Sequence, residues 1–226
     1  MYTWDWDWVW TYKSQLLNAA WLTLWLNVSI LIIGSIFGLF LGVLKRSRLR
    51  FIKISAIIVI DLIRTLPVLV LLIWFYFCVP ILFQLKMSAI LTSIIVLSMN
   101  LSAFVAEIVD AGIEAVPKIH KDSATLLGLT KTQNLRYIIL PIALRNMTPP
   151  IVGQYINSIK LSVLASVIAV PELLNTSQDI ITQTYRPLEF YSVLAVIFLV
   201  ILLPGTIWSK RFELRHMFNK NNENLK

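Results

Sequence analysis

Residues Lys121 to Pro141 read KDSATLLGLTKTQNLRYIILP. This polar stretch, with one Gly, a basic cluster and an Ile-Ile-Leu-Pro ending, lies between two long oily runs. The runs set the class of the protein. Of 226 residues, 58% are hydrophobic and only 14% are charged, where a soluble domain would carry about a quarter charged residues. The mean hydropathy is +0.76. Such a chain is a polytopic membrane protein with room for about five or six spans. The net charge of +8 is then best read as basic residues gathered in cytoplasmic loops, and no nucleic-acid partner is expected. The single cysteine, Cys78, sits in apolar sequence and permits no internal disulfide.

Runs free or nearly free of charge predict five helical spans, at about 16–44, 54–79, 87–106, 138–169 and 190–209. Helices are the expected spanning structure, because lipid leaves no partner for an open strand edge. The expected fold class is therefore an all-α membrane protein, residues 1–226 forming a single transmembrane domain. Orientation follows from the basic residues. The loop KRSRLRFIK, the region from Ala106 to Arg145 and the tail from Lys210 hold five Lys or Arg each, fifteen in all. The opposite side holds only Lys13, Lys86 and Arg186. This places the N-terminus outside and the C-terminus in the cytoplasm. The segment around Pro171 to Glu189 is then external, and Lys121–Pro141 cytoplasmic. The opening MYTWDWDWVWTYK lacks the basic start and cleavage site of a signal peptide. Its Trp4, Trp6, Trp8 and Trp10 read as an interfacial aromatic belt.

The cytoplasmic insert of about thirty residues is long for a connection in a bundle. Ala124, Leu127 and Leu129 recur at near-helical spacing, with Asp122 and Ser123 placed as a helix start. Pro117 closes the preceding run and Gly128 closes this one. The expectation is a short amphipathic helix, a turn, and a helix re-entering the membrane with Pro141 near its start. Two uses fit such a helix. It can lie on lipid headgroups, or it can enter a groove on a partner protein.

Here the chain resembles the inner-membrane permease subunits of bacterial ABC importers. Their cytoplasmic signature is Glu-Ala-Ala, three residues, Gly, nine residues, then Ile-x-Leu-Pro. This chain has Asp122-Ser123-Ala124, three residues, Gly128, nine residues, then Ile138-Ile139-Leu140-Pro141. RTLPVLVLLIWFYFCVP from Arg64, SAFVAEIVDAGIEAVPK from Ser102, YINSIKLSVLASVIAVPELL from Tyr155 and RPLEFYSVLAVIFLVILLP from Arg186 resemble segments of the polar amino acid branch. The resemblance implies a short cytoplasmic coupling helix between spans 3 and 4, at about 110–137, that docks on an ATPase subunit. Asp122, Ser123, Ala124, Leu127, Gly128 and Pro141 would form the docking joint. It implies a dimer of ATP-binding subunits inside, where Mg-ATP is held, and a second permease copy, identical or homologous. It also implies an extracytoplasmic substrate-binding protein and a multi-pass place in the bacterial inner membrane. On this reading the chain translocates a polar amino acid, hydrolyses nothing and binds no cofactor or metal of its own.

Charges inside spans are expensive and mark function or pairing. Asp61 and Arg64, at i and i+3, read as a mutual ion pair or as part of a gate or substrate pathway. Asn100, deep in the third span, reads as an interhelical hydrogen-bonding group or a substrate contact. Ser158, Ser162 and Ser166 fall at four-residue spacing around Lys160, forming a polar stripe that packs against a neighbour or lines a pathway. The family usually has an acid after this Lys; here it is Leu161. Glu107 and Glu114 read as solvated. Two further functions compete with the importer: a stand-alone secondary transporter or channel subunit, and a membrane anchor for a soluble complex. The first would need its own coupling acids and broken helices. The second leaves the deep polar stripe unexplained.

Overall fold

The computed structural model describes residues 2–126 and 128–223, and every regular element among them is helical. Side chains are described throughout except at Lys121, Asp122, Ala124, Thr125 and from Ser209 onward. A short α1 (Asp7–Thr11) leads into α2 (Lys13–Lys45). Then follow α3 (Arg50–Thr65), α4 (Val68–Phe83), α5 (Ala89–Glu114), α6 (Lys118–Leu126) and α7 (Lys131–Asn134). A π-helical turn, Leu135–Ile139, joins α7 to α8 (Leu140–Leu161), which tightens into a 3-10 stretch, Ser162–Ile168. Two helices close the chain, α9 (Leu173–Thr184) and α10 (Pro187–Glu223).

Among the described residues, four stretches are long and apolar enough to cross a membrane: Lys13–Lys45, Ala89–Glu114, Lys131–Ile168 and Pro187–Trp208. The pair α3 and α4 makes a fifth if counted as one broken span. The sequence predicts a single run over 54–79, and the break has a local cause. Pro67 has no N–H and its ring disfavours helical geometry at Leu66. Its backbone is extended (φ −58, ψ 129), and α4 restarts directly after it.

The chain divides into two compact units. The first comprises Met1–Ile32, Leu66–Ser98 and Ile156–Ile207. Its core joins Leu16, Ile180 and Phe190, with Val9, Tyr12, Ile181 and Val193 around them. The N-terminal strap is fastened here. Glu189, fully buried in the first turn of α10, accepts from the Tyr2 hydroxyl and from the Asp5 N–H at 3.0 Å. Arg186 donates to the Thr3 carbonyl at 2.7 Å. Trp4 and Trp6 stack with ring centres 5.5 Å apart and remain exposed, as an aromatic belt requires.

The second unit comprises Ile33–Thr65, Met99–Tyr155 and Trp208–Lys226. Ile60 and Ile63 of α3 pack on Ala103 and Ala106 of α5, with Leu41 and Met99 alongside. Gly34, Gly38 and Gly42 repeat every four residues and so share one face of α2. A methyl group on each would fall 2.6 to 2.9 Å from Leu101, Val105 or Val109 of α5. Small residues let two backbones approach closely, the main route to helix association where lipid cancels the hydrophobic drive.

Gly38→Leu is therefore expected to destabilise the solubilised chain by about 1–3 kcal/mol, the usual cost of overpacking. Gly153 meets nothing within 4 Å, so Gly153→Ala should be neutral or raise the melting temperature. A thermal melt in mild detergent compares the two; equal behaviour would deny the close α2–α5 approach.

Candidate docking and translocation site

The candidate docking segment begins at Pro117, just before α6. Proline lacks only an N–H that the first turn of a helix leaves unused. This start corrects the expected one: Asp122 is the fifth residue of α6, not its cap, and α5 continues to Glu114 rather than yielding to the coupling region near 110. Ser123 is exposed. Ile119 and Leu126, on the same face two turns apart, are 69% and 88% exposed. They give α6 a bare apolar ridge that the sequence reading, fixed on Ala124, Leu127 and Leu129, did not single out. The side chains of Asp122 and Ala124, and residue Leu127 altogether, lie outside the described residues. Gly128 follows at φ +72 with open space around it. The turn requires glycine for its left-handed backbone, not for room. Thr130 then caps α7 in a reciprocal box with Gln133. Pro141 is exposed, second in α8, immediately after the π turn.

The second unit holds an ionic frame. The Lys45 ammonium lies 2.5 Å from Glu107 and 3.1 Å from Asp110. Arg46 reaches Asp110 at 2.6 Å. Arg64 pairs with Glu107 at 3.5 Å and lies over the Phe104 ring at 5.2 Å. Two sequence expectations change. Arg64 turns to α5 rather than to Asp61, and Glu107 is an ion-pair hub rather than a solvated acid. Asp61, Arg64, Thr65 and Phe104 line an open cleft of about 490 Å³ that presents both charge signs. Asn100, in the same unit, is buried.

The first unit holds the serine stripe. Ser158 and Ser162 are buried, and Lys160 is exposed. Asn27 of α2 donates to Ser162 Oγ at 3.0 Å and to the Thr23 carbonyl at 2.8 Å. The expected four-residue stripe stops short at Ser166, because the backbone becomes 3-10 after Leu161 and brings residues three apart into line. Thr23 Oγ1 accepts the Leu173 N–H at 3.0 Å, tying the start of α9 to α2. Beside it Glu172 caps α9, accepting the Asn175 N–H at 2.9 Å. Its other oxygen, Oε2, is buried without a hydrogen-bond partner. Burial pushes the Glu172 carboxyl above its ordinary value, against the backbone N–H groups of Leu174, Asn175 and Leu173 that favour the charged form. Sequence reading missed both this acid and Glu189. The one local signal was Glu172 three residues before Asn175, at the mouth of a helix.

Comparison with known proteins follows the same lines. Residues 34–216 match the family described as binding-protein-dependent transport system inner membrane component. The glutamine transport system permease protein GlnP of Escherichia coli (strain K12) is 34% identical over 201 residues, covering 88% of this chain and 92% of that protein. The probable amino-acid ABC transporter permease protein YckA of Bacillus subtilis (strain 168) is 31% identical over 194 residues, 86% of this chain and 85% of that one. A solved amino acid ABC transporter, crystallised with histidines, superposes at a TM-score of 0.88 with 32% identity, over 95% of this chain and 100% of that chain. The MetNI methionine ABC transporter, in inward-facing conformations, shares the fold at a TM-score of 0.69 and 17% identity, over 89% of this chain and 98% of that one.

Glu172 gives a pH signature. Its folded form holds the proton more tightly than the unfolded chain does. The protonated carboxyl therefore stabilises the fold below the ordinary value of 4.5, and that contribution is lost as pH rises through the raised folded value. The melting temperature should fall across this window, and Glu172→Gln, which stays neutral, should flatten the fall. The oxygen left unpaired makes the effect about 1–3 kcal/mol. A variant that follows the wild-type profile would exonerate this acid.

Proposed function

The chain belongs to the family of binding-protein-dependent transport system inner membrane components, and from that premise we propose that it is the permease subunit through which an ATP-driven importer passes a polar amino acid. The observation that carries the reading is the segment Lys118–Pro141: a bare-ridged helix, a glycine turn and a capped re-entry, on the spacing of the family signature. Glutamine permeases among the relatives make a polar, uncharged side chain the first substrate to try.

The proposed molecule is one permease domain with five spans, α3 and α4 forming the second. Fifteen basic residues against three support an N-terminus outside and a cytoplasmic C-terminus. It sits in the inner membrane of a bacterium beside a second permease copy. Two ATP-binding subunits dock inside, and a substrate-binding protein docks outside at the Pro171–Glu189 segment. The chain itself is a transport component, and ATP with its Mg ion belongs to the partner subunits.

Work done by ATP must then enter through a mechanical joint. Closure of the ATPase pair pushes α6, with Asp122, Ser123, Ala124 and Leu127 in or beside its contact face. Gly128 sets the angle between α6 and α7. The capping box keeps the start of α7 from fraying, and Pro141 marks where the push enters α8. Asp61, Arg64, Asn100, Ser158, Lys160 and Ser162 are the proposed pathway residues. An amino acid zwitterion needs one group of each sign, and the Asp61–Arg64 cleft offers both. Leu161 stands where the family usually has an acid, so Lys160 has no acidic neighbour in sequence and carries no argument about the substrate's charge.

Expressed with its neighbours and purified in mild detergent, the wild-type chain should carry an ATPase with it. Gly128→Arg, which strains a left-handed turn and adds a long charged arm, should lose that subunit while the chain stays folded, its stability lowered by only about 1–2 kcal/mol. Retention of the ATPase by the folded variant, or no ATPase with wild type, would overturn the docking role.

A further inference from the structure

We propose that the Arg46–Leu49 turn and the exposed face of α3 hold one anionic phospholipid, its phosphate on Arg48 and Arg50 and an acyl chain along Phe51, Ile54, Ile58 and Leu62. The inference rests on α3 lying in the membrane and is independent of ATPase docking.

The cations of this region sort into two sets. Lys45, Arg46 and Arg64 each face a carboxylate of α5. Arg48 and Arg50 are exposed, and no salt bridge engages either among the described residues. Lys53 belongs with neither set, since it lines a cleft with Lys45, Arg46, Asp110 and Glu114. Two guanidiniums are thus left for a ligand, and their planar donor forks suit phosphate oxygens.

The apolar part of the site runs straight on from them. Phe51, Ile54, Ile58 and Leu62 are 83%, 44%, 57% and 56% exposed. At 100° per residue they fall within an arc of about 80°. Ala56, Ile60 and Ile63 occupy the opposite face and are buried. Eleven residues separate Phe51 from Leu62, a rise of about 16 Å. That is close to one leaflet of a hydrocarbon core about 30 Å thick. Asp61 lies about 20° round the helix from Ile54, at the rim of the stripe, and lines its own cleft with Arg64.

Charge decides the occupant. Two copies of this chain lie parallel in a membrane, so a symmetric contact along α3 would set Arg48 and Arg50 against themselves. An acidic soluble protein would match the arginines but not a stripe that descends into hydrocarbon. An anionic phospholipid matches both. Arginine close to an anionic headgroup layer is attracted strongly enough for two such residues to favour that headgroup over a zwitterionic one by about thirtyfold.

The full chain in uncharged detergent is titrated with phosphatidylglycerol or phosphatidylcholine, and bound lipid is counted by native mass spectrometry. Phosphatidylglycerol should be held in preference. Arg48→Gln/Arg50→Gln should weaken it about thirtyfold, leave phosphatidylcholine unchanged and leave the lipid-free melting temperature unchanged. Phe51→Ser should weaken both lipids. Equal binding of the two lipids by wild type, or undiminished phosphatidylglycerol binding by the double variant, overturns the proposal. Displacement by glycerol phosphate would mean a site for free phosphate, and a disulfide between two Phe51→Cys copies would mean a second copy; either result also overturns it. Loss of ATPase co-purification would sink the docking role and leave this one standing.

Discussion

The Lys45 ammonium, set between Glu107 and Asp110, is the contact on which the second unit depends. Its position follows from the glycines. Gly34, Gly38 and Gly42 bring α2 against Leu101, Val105 and Val109, and Lys45 is the next residue on the same face, three beyond Gly42. Wider helices would leave its arm short of Asp110. The frame then spreads: Asp110 also holds Arg46, and Glu107 also holds Arg64 of α3. A charge drawn out of water is costly unless paired, and removing one member of such a set costs more than the set gained by forming. Five side chains from three segments are therefore committed together. The end of α2, the end of α3 and the last turns of α5 move as one piece or not at all.

That rigidity would give a load on the proposed docking segment something to act on. α5 runs from the frame to Glu114, and α6 starts after Pro117, only three residues on. Beyond Gly128 the chain is stiffened again by the Thr130–Gln133 box. Between the box and α8 lies the π turn, where the Leu140 N–H reaches back to Leu135 rather than to Arg136. Pro141 has no N–H to offer the preceding turn, and a wider turn ahead of it accommodates the missing bond. A load on α6 thus has two ways out: directly up α5 into the ionic frame, and through the π turn into α8. A joint with one soft point between two stiff parts sets where motion occurs.

Much of this was written in local chemistry. The long apolar helices fall on the charge-poor runs, and the α6–α7 turn follows from Gly128, because a left-handed backbone position demands that residue whatever surrounds it. The break at Leu66–Pro67 was also local, since proline dictates it, yet the greasy run on both sides masked it. Partner choice was not local. Arg64 has Asp61 one turn away in sequence, and only the packing of α3 on α5 shows that Glu107 wins. Glu107 and Asp110 look in sequence like any acids near a membrane edge. Glu172 and Glu189 look like loop acids, and their burial depends on α2 and on the N-terminal strap, neither of which a local pattern can place. The stripe reading of the serines failed at Ser166 for a subtler reason: the spacing was right for an α-helix, and the backbone had changed to 3-10.

The first unit reaches the same end by hydrogen bonds. Thr23, Asn27, Ser162 and the Leu173 N–H form a chain of short contacts joining α2, the end of α8 and the start of α9. In water, burying apolar area would hold these elements together. In lipid the outer face is as apolar as the core, as exposed Trp21, Val28 and Ile32 show, and that drive is absent. Cohesion falls to glycine contacts, ion pairs and a few hydrogen bonds, all of them directional. Directional contacts are made or broken rather than stretched, so a bundle built from them has discrete arrangements. A transporter that must face one side of the membrane and then the other needs that property more than it needs a tighter core.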